Sequence, residues 1–213
     1  MSDLNFDASV VQLVSYPRTG SHYVRIVLED CIGIPCAPTS FFGNSNIQAW
    51  GFHLHDRIVG RGDEGLTSGF DRVVYLYRNP IDTIFSHIRY QGTDDWISIA
   101  QEYKNHLQRW LHNSSDCKSI IYKNYDDILR EPLRHFIDIL DYIDCEFDEN
   151  RLISAIGRTT IGRVKALTEK IDNKVVNDSH FNGKYIIEKS IFISEYGDEI
   201  QKMFDGIYVY EKL

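Results

Sequence analysis

The sequence predicts an α/β fold, three layers of helix, central parallel sheet and helix. Two observations carry this. Short β-rich runs alternate with segments of helical periodicity along the chain, the order that puts helices on both faces of a parallel sheet. The first apolar run, Val10-Val11-Gln12-Leu13-Val14, also leads straight through a glycine-containing loop into an apolar-periodic stretch, Val24, Ile26, Val27 and Leu28, which reads as strand, tight loop, helix. At 213 residues the chain suits one sizeable α/β domain and is short for two, so a single domain over 1–213 is expected.

Taken in order, the strand Val10–Tyr16 precedes a helix over about 20–32, and the Ser-, Asn-, Gly- and aromatic-rich stretch Thr39–Trp50 reads as a loop. A short β-rich run follows at Phe52-His53-Leu54-His55, then a turn-rich segment, Gly60–Gly65. The third strand, Arg72–Tyr77, ends at Arg78-Asn79-Pro80-Ile81-Asp82. Asn79 suits an N-cap, Pro80 the first helical position and Asp82 the positive end of the dipole, so a helix over 80–91 is expected. The next helix, 94–112, carries Trp96, Tyr103 and Trp110 as one aromatic stripe for the core. A fourth strand, Ser119–Tyr122, and helices at 126–143, 149–157 and 193–204 complete the pattern. Residues 158–190 have weak periodicity and read as an irregular flap over a ligand, and Tyr208, Tyr210 and Leu213 are expected to pack on the domain.

Composition narrows the function. With 43% hydrophobic and 25% charged residues the chain reads as a globular protein. Its net charge of −8 argues against a nucleic-acid partner, which wants a basic face. Cys31, Cys36, Cys117 and Cys145 form no Cys-x-x-Cys pair and have no zinc-like histidine spacing, so isolated thiols and no metal are expected. The acidic start, Met1–Asp7, has no apolar core and no 18-residue apolar run follows anywhere. No signal peptide and no membrane span are therefore expected, and the location read from this is cytoplasmic; the sequon-like Asn113-Ser114-Ser115 and Asn177-Asp178-Ser179 then carry little meaning.

The loop Ser15-Tyr16-Pro17-Arg18-Thr19-Gly20-Ser21-His22-Tyr23 combines a cation, a glycine and two hydroxyls at a helix start, the makings of a phosphate or sulfate cradle. It has one glycine and no following Gly-Lys-Ser/Thr, so it is not the usual nucleoside-triphosphate loop. Ligands of parallel sheets bind beyond the carboxyl ends of the strands. Arg78 sits at such an end, and Ser86 shares a helix face with Asp82 and Arg89; Arg78 and Ser86 either clamp a second phosphate or satisfy Asp82 and the helix backbone.

Four segments together resemble the cytosolic-type sulfotransferase family, whose fold is P-loop-like. Tyr16-Pro17-Arg18-Thr19-Gly20-Ser21-His22-Tyr23 resembles its 5′-phosphosulfate loop, Tyr-Pro-Lys-Ser/Thr-Gly-Thr/Ser-x-Trp. Phe52-His53-Leu54-His55 lies where the family has Phe-Lys-Thr-His. Arg78-Asn79-Pro80-x-Asp82 with Ser86 resembles its 3′-phosphate motif, and Tyr125-Asp126-Asp127-Ile128-Leu129 before Glu131-Pro132 is similar to its Tyr-Glu-Asp-Leu segment. The four occur in family order over residues 15–132.

The resemblance implies a sulfotransferase that takes 3′-phosphoadenosine 5′-phosphosulfate (PAPS) as donor, leaves 3′-phosphoadenosine 5′-phosphate (PAP), needs no metal, and transfers to a hydroxyl or amine acceptor. Arg18 would stand for the family lysine that stabilises the departing phosphate, and His55 for the catalytic base. Thr19, Gly20, Ser21 and His22 would hold the 5′ end, Tyr23 and Tyr125 would flank the adenine, and Arg78 and Ser86 would hold the 3′-phosphate. The C-terminal third departs from the family's Arg-Lys-Gly-x-x-Gly-Asp-Trp-Lys: in Phe181-Asn182-Gly183-Lys184-Tyr185-Ile186-Ile187-Glu188-Lys189, Gly183 and Lys189 match, while the arginine, second glycine and tryptophan do not. Lys184, Arg163 or Lys165 would have to compensate. The chain is shorter than is usual in the family, which favours a large acceptor such as a glycan over a small molecule. Two other readings stand beside this one: a nucleotide-dependent kinase of related fold, and a non-catalytic nucleotide-binding module.

Overall fold

The computed structural model describes residues 11–43, 49–55, 72–112, 117–171, 176 and 183–208; the side chains of residues 52–55 fall outside that description. The first apolar run becomes β1 (Val11–Ser15), buried along its whole length because it lies at the centre of a parallel sheet. Its neighbours are β3 (Gly51–His55) on one side and β4 (Arg72–Tyr77) on the other. The two-residue β2 (Cys36–Ala37) and β5 (Ser119–Asn124) form the edges, in the order β2-β3-β1-β4-β5. Chain connections leave β1 and β4 toward opposite edges, so the crevice beyond their carboxyl ends is the switch point where parallel sheets bind ligands.

The period-two alternation of the strands sorts the core into two layers. Leu13, Val74 and Leu76 point to one face. There they meet Val24, Val27 and Leu28 of α1 (Ser21–Ile32), Ile128 of α4 (Tyr125–Arg130), Phe136, Ile139 and Leu140 of α5 (Pro132–Tyr142), and Leu152 and Ala155 of α6 (Glu149–Arg158). Val14, Val73 and Tyr75 point to the other, against α2 (Pro80–Gln91), α3 (Trp96–Leu107) and Phe192, Ile200 and Phe204 of the last helix. Trp96, Tyr103 and Trp110 are buried in this second layer, the stripe the sequence predicts.

Four expectations need correction. The helix expected over 94–112 is α3 followed by a π-helical turn, Gln108–His112. The helix expected over 126–143 is two, because Pro132 has no N–H and starts α5 afresh after Glu131. The stretch 158–190 is not irregular where it is described: α7 (Ile161–Glu169) lies within it, started by Thr160, whose side chain accepts from the Arg163 N–H. The last helix, α8 (Lys184–Phe204), starts well before 193, with Gly183 as its cap at φ 73°. Asp56, the segment Gly60–Gly65, both sequon-like tripeptides' asparagines, Phe181, Asn182, Tyr210 and Leu213 lie outside the described residues.

Two buried charged side chains organise the chain beside the first helix. Arg25 and Glu29 sit one turn apart on α1, 4% and 1% exposed. The Arg25 guanidinium donates to the carbonyls of Cys36 and Thr39, both at 3.0 Å, and lies over the Phe41 ring. Glu29 accepts from the Ser40 hydroxyl and from the backbone N–H groups of Phe41 and Phe42. Side chains here do the work of a strand, satisfying a backbone segment that has no ladder partner.

Candidate active site

The loop after β1 turns on two residues in the left-handed region, Arg18 (φ 73°) and Gly20 (φ 95°). Its hinge is tied by the Thr19 hydroxyl, which donates to the Tyr16 carbonyl at 2.7 Å. Thr19 therefore serves the loop, and its buried hydroxyl is not turned to a ligand. Gly20 caps α1, so the positive end of that helix follows directly on the loop that carries Arg18.

Across the crevice, Arg78 follows β4. Tyr103 fixes its backbone twice over, donating to the Arg78 carbonyl (2.7 Å) and accepting from its N–H (3.0 Å). Asn79 caps α2 as expected, accepting from the Ile81 N–H. The guanidinium reaches Asp82 Oδ2 at 3.2 Å and Asp126 Oδ1 at 3.5 Å, and lies over the Tyr125 ring at 5.3 Å. Burial works against the charge on Arg78, but Asp82 and Asp126, helped by Tyr125 and Tyr185, outweigh it and raise its pKa above the ordinary value. Arg18 differs: burial lowers its pKa, Tyr185 and Tyr90 oppose that, and Arg78 adds to it as a like charge.

Both arginines face one cavity of about 620 Å³, within the range of small-molecule sites. Of the residues expected in the site, Arg18, Gly20, Ser21, His22, Tyr23, Arg78, Ser86 and Tyr125 line it. Ser86 holds the first of the two cations, accepting from Arg18 Nε at 3.0 Å. His22 packs edge-on against Phe41, and Tyr23 edge-on against Tyr125. Burial pushes the Tyr125 hydroxyl up to about 12, with Arg78 pulling the other way, so it stays a neutral phenol at physiological pH.

Other expected residues are placed elsewhere. His55 ends β3 beside Ser15, the residue from which the loop departs, so its backbone stands at the crevice; its side chain lies outside the described residues. Gly183 and Lys184 begin α8 but do not line the cavity: the Lys184 side chain is 67% exposed, 3.5 Å from Glu188, and it is Tyr185 that reaches the cavity wall. Arg163 is engaged with Asp30 and stacked on Phe42, and Lys165 lies toward Glu169. Among the described residues no group of three His, Cys, Asp or Glu side chains is placed to hold a metal ion.

The cavity also contains residues that sequence reasoning missed. Tyr90 lies one turn beyond Ser86 and stacks on Arg18 at 5.0 Å, whereas Arg89, the residue named for that face, pairs with Glu188. Leu129, Ile161, Val164 and Val176, with Thr159, form an apolar part of the cavity wall. The spacing of Ile161, Val164 and Leu167 behind Thr160 was the signal for α7, and hence for this wall. The wall thus offers cations to anionic oxygens and apolar side chains to a flat, apolar body.

Gly20 sets how closely the loop meets Tyr125. A Cβ there would stand 2.2 Å from the Tyr125 ring. Gly20→Ala should displace that ring and lower affinity for an adenine bisphosphate about 30-fold, combining the clash with roughly 1–2 kcal/mol of left-handed strain. Calorimetric titration checks it; an affinity within twofold of the unaltered protein would show that the loop yields freely.

No family model matches the sequence, and no curated protein matches it. Among solved structures, the chain is similar to mouse sulfotransferase SULT7A1 complexed with PAP, with a TM-score of 0.62 and 16% identity over 92% of this chain and 84% of that one. It is also similar to retinol dehydratase, both in complex with androsterone and inactive cofactor PAP (TM-score 0.51, 11% identity, 96% and 83% covered) and in a complex with retinol and PAP (0.52, 10%, 96% and 84%). At such low identities the comparison speaks to the path of the backbone: the chain has the cytosolic-type sulfotransferase fold.

Proposed function

We propose that this protein is a sulfotransferase that uses PAPS as donor and a hydroxyl- or amine-bearing acceptor, a glycan or a small molecule. The observation that supports it most is the convergence of Arg18, which Ser86 holds, and Arg78 on one cavity whose wall also carries tyrosines and apolar side chains. The residues present fit an adenosine carrying phosphate at both its 3′ and 5′ positions: two separate cations for the anions, a helix start, and Tyr23 and Tyr125 for the base. The fold shared with PAP-bound sulfotransferases is consistent with that fit.

When bound, the donor supplies a sulfuryl group on a leaving phosphate. In this reading Arg18 stabilises the charge that grows on the departing oxygen, and the amides and hydroxyls around Gly20, Ser21 and His22 hold the 5′ end, with Thr19 keeping the loop in shape. Arg78 and Ser86 hold the 3′-phosphate. His55 takes the proton from the acceptor. Gly183 and Lys184 contribute by starting the helix that carries Tyr185. The work of the protein is placement and charge stabilisation, as in phosphoryl transfer. A cytoplasmic location belongs to the same proposal; among the described residues no helix is long and apolar enough to cross a membrane.

The test is a calorimetric titration with PAP, AMP and ATP with magnesium. PAP should bind most tightly. Arg78→Ala should weaken PAP about 50-fold and AMP less than about threefold, since a hydrogen-bonded charge contributes about 1.5–3 kcal/mol. Equal losses for PAP and AMP would remove Arg78 from the 3′-phosphate, and preference for ATP with magnesium would overturn the donor.

A further inference from the structure

The anion end of the cavity holds an electrostatic problem. Arg78 stands between two carboxylates, Asp82 and Asp126, so on its own this group is net negative and would repel a phosphate dianion. Asp126 is partly satisfied elsewhere, since its Oδ2 accepts from the Asn79 N–H at 3.0 Å. Asp82 is matched by a cation from another element: Lys189 Nζ of α8 lies 2.5 Å from Asp82 Oδ1, while Asp82 Oδ2 faces Arg78. With Lys189 the four side chains balance, two cations against two anions.

We propose that Lys189 is a positioning residue of the 3′-phosphate subsite. It acts through Asp82, without lining the cavity; the inference rests on the donor reading above. It neutralises Asp82, so that the group no longer carries a net negative charge and the guanidinium of Arg78 can meet an anionic ligand without that repulsion. The same contact fastens α8 to α2 beside the Arg89–Glu188 pair, which brings Tyr185 to the cavity wall. The charge effect is felt by a 3′-phosphate and hardly by a nucleotide without one, because it is confined to the Arg78 end of the cavity.

Titrating PAP and AMP into Lys189→Met and Lys189→Arg separates these roles. Lys189→Met should weaken PAP about tenfold and AMP less than twofold, and Lys189→Arg should restore PAP to within about threefold. Adding Asp82→Asn to Lys189→Met removes the unmatched carboxylate, so the double variant should regain most of the lost PAP affinity. Equal losses for the two nucleotides would mean that Lys189 only holds the helix in place, and no recovery in the double variant would overturn the charge-balance account. If the unaltered protein fails to prefer PAP over AMP, the donor reading falls and this inference with it; if it does prefer PAP, and Arg78→Ala abolishes that preference while Lys189→Met does not, only this inference falls.

Discussion

Arg18→Ala is expected to lower turnover about 10³-fold, as removal of one preorganised charge-stabilising donor does, while donor affinity changes less than tenfold. The asymmetry follows from where the side chain sits. Arg18 is held by Ser86 on one side and by the Tyr90 ring on the other, so it is already placed before any ligand arrives. Burial lowers its pKa, yet arginine remains protonated at any working pH, so its charge is fixed while solvent is kept away. Its value is greatest when negative charge grows in the crevice, and less in the ground state. Arg18→Lys should recover only part of the loss, because a point charge cannot keep both the Ser86 contact and the stack on Tyr90. Single-turnover assays with labelled donor read the chemical step; a drop below tenfold in Arg18→Ala would remove the residue from it. His55→Ala in the same assay should stop turnover with donor binding nearly intact, and retained turnover would sink its role as base.

The largest effect on stability is expected at Glu29, far from any proposed chemistry. Glu29→Gln should cost about 3 kcal/mol, in the range for disrupting hydrogen bonds to a buried charged group. The carboxylate takes three donors, from Ser40, Phe41 and Phe42, and an amide turns an N–H₂ toward at least one of them. Arg25 then keeps its buried charge beside a neutral neighbour. Thermal unfolding should fall by on the order of 8 °C for a chain of this size. A shift under 2 °C would show that the 39–42 segment is held by Phe41 and its apolar neighbours alone. Because Phe41 packs on His22 and in the cluster of Val164 and Val176, donor affinity should fall along with stability.

What could be read from the sequence was whatever is local. Strand, loop and helix at residues 10–32, and the Asn79-Pro80 start of α2, are written in neighbouring residues, and the structure has them there. The split at Pro132 was equally local and was passed over, although the ring removes the one N–H a continuous helix would need. β2 was hidden by its length, two residues being too few to show a period. The apolar part of the cavity wall was out of reach for another reason. Leu129, Ile161 and Val176 come from three elements, and nothing local in any of them points to the others. Asp126 and Lys189 were both in view as parts of matching segments. Their charge relation through Arg78 and Asp82 spans β4, α2, α4 and α8, and only the folded chain brings it together.

The backbone at Arg18 has a consequence for how this protein can be improved or lost. A non-glycine residue in the left-handed region costs roughly 1–2 kcal/mol, which glycine would not incur. Stability and activity therefore pull in opposite directions at this one position. A glycine here would yield a hardier protein with an empty anion cradle, and any screen that selects for heat resistance alone should drift toward it. In the proposed reading the strained turn at Arg18 is there for what the side chain does in the cavity, not for the fold it sits in.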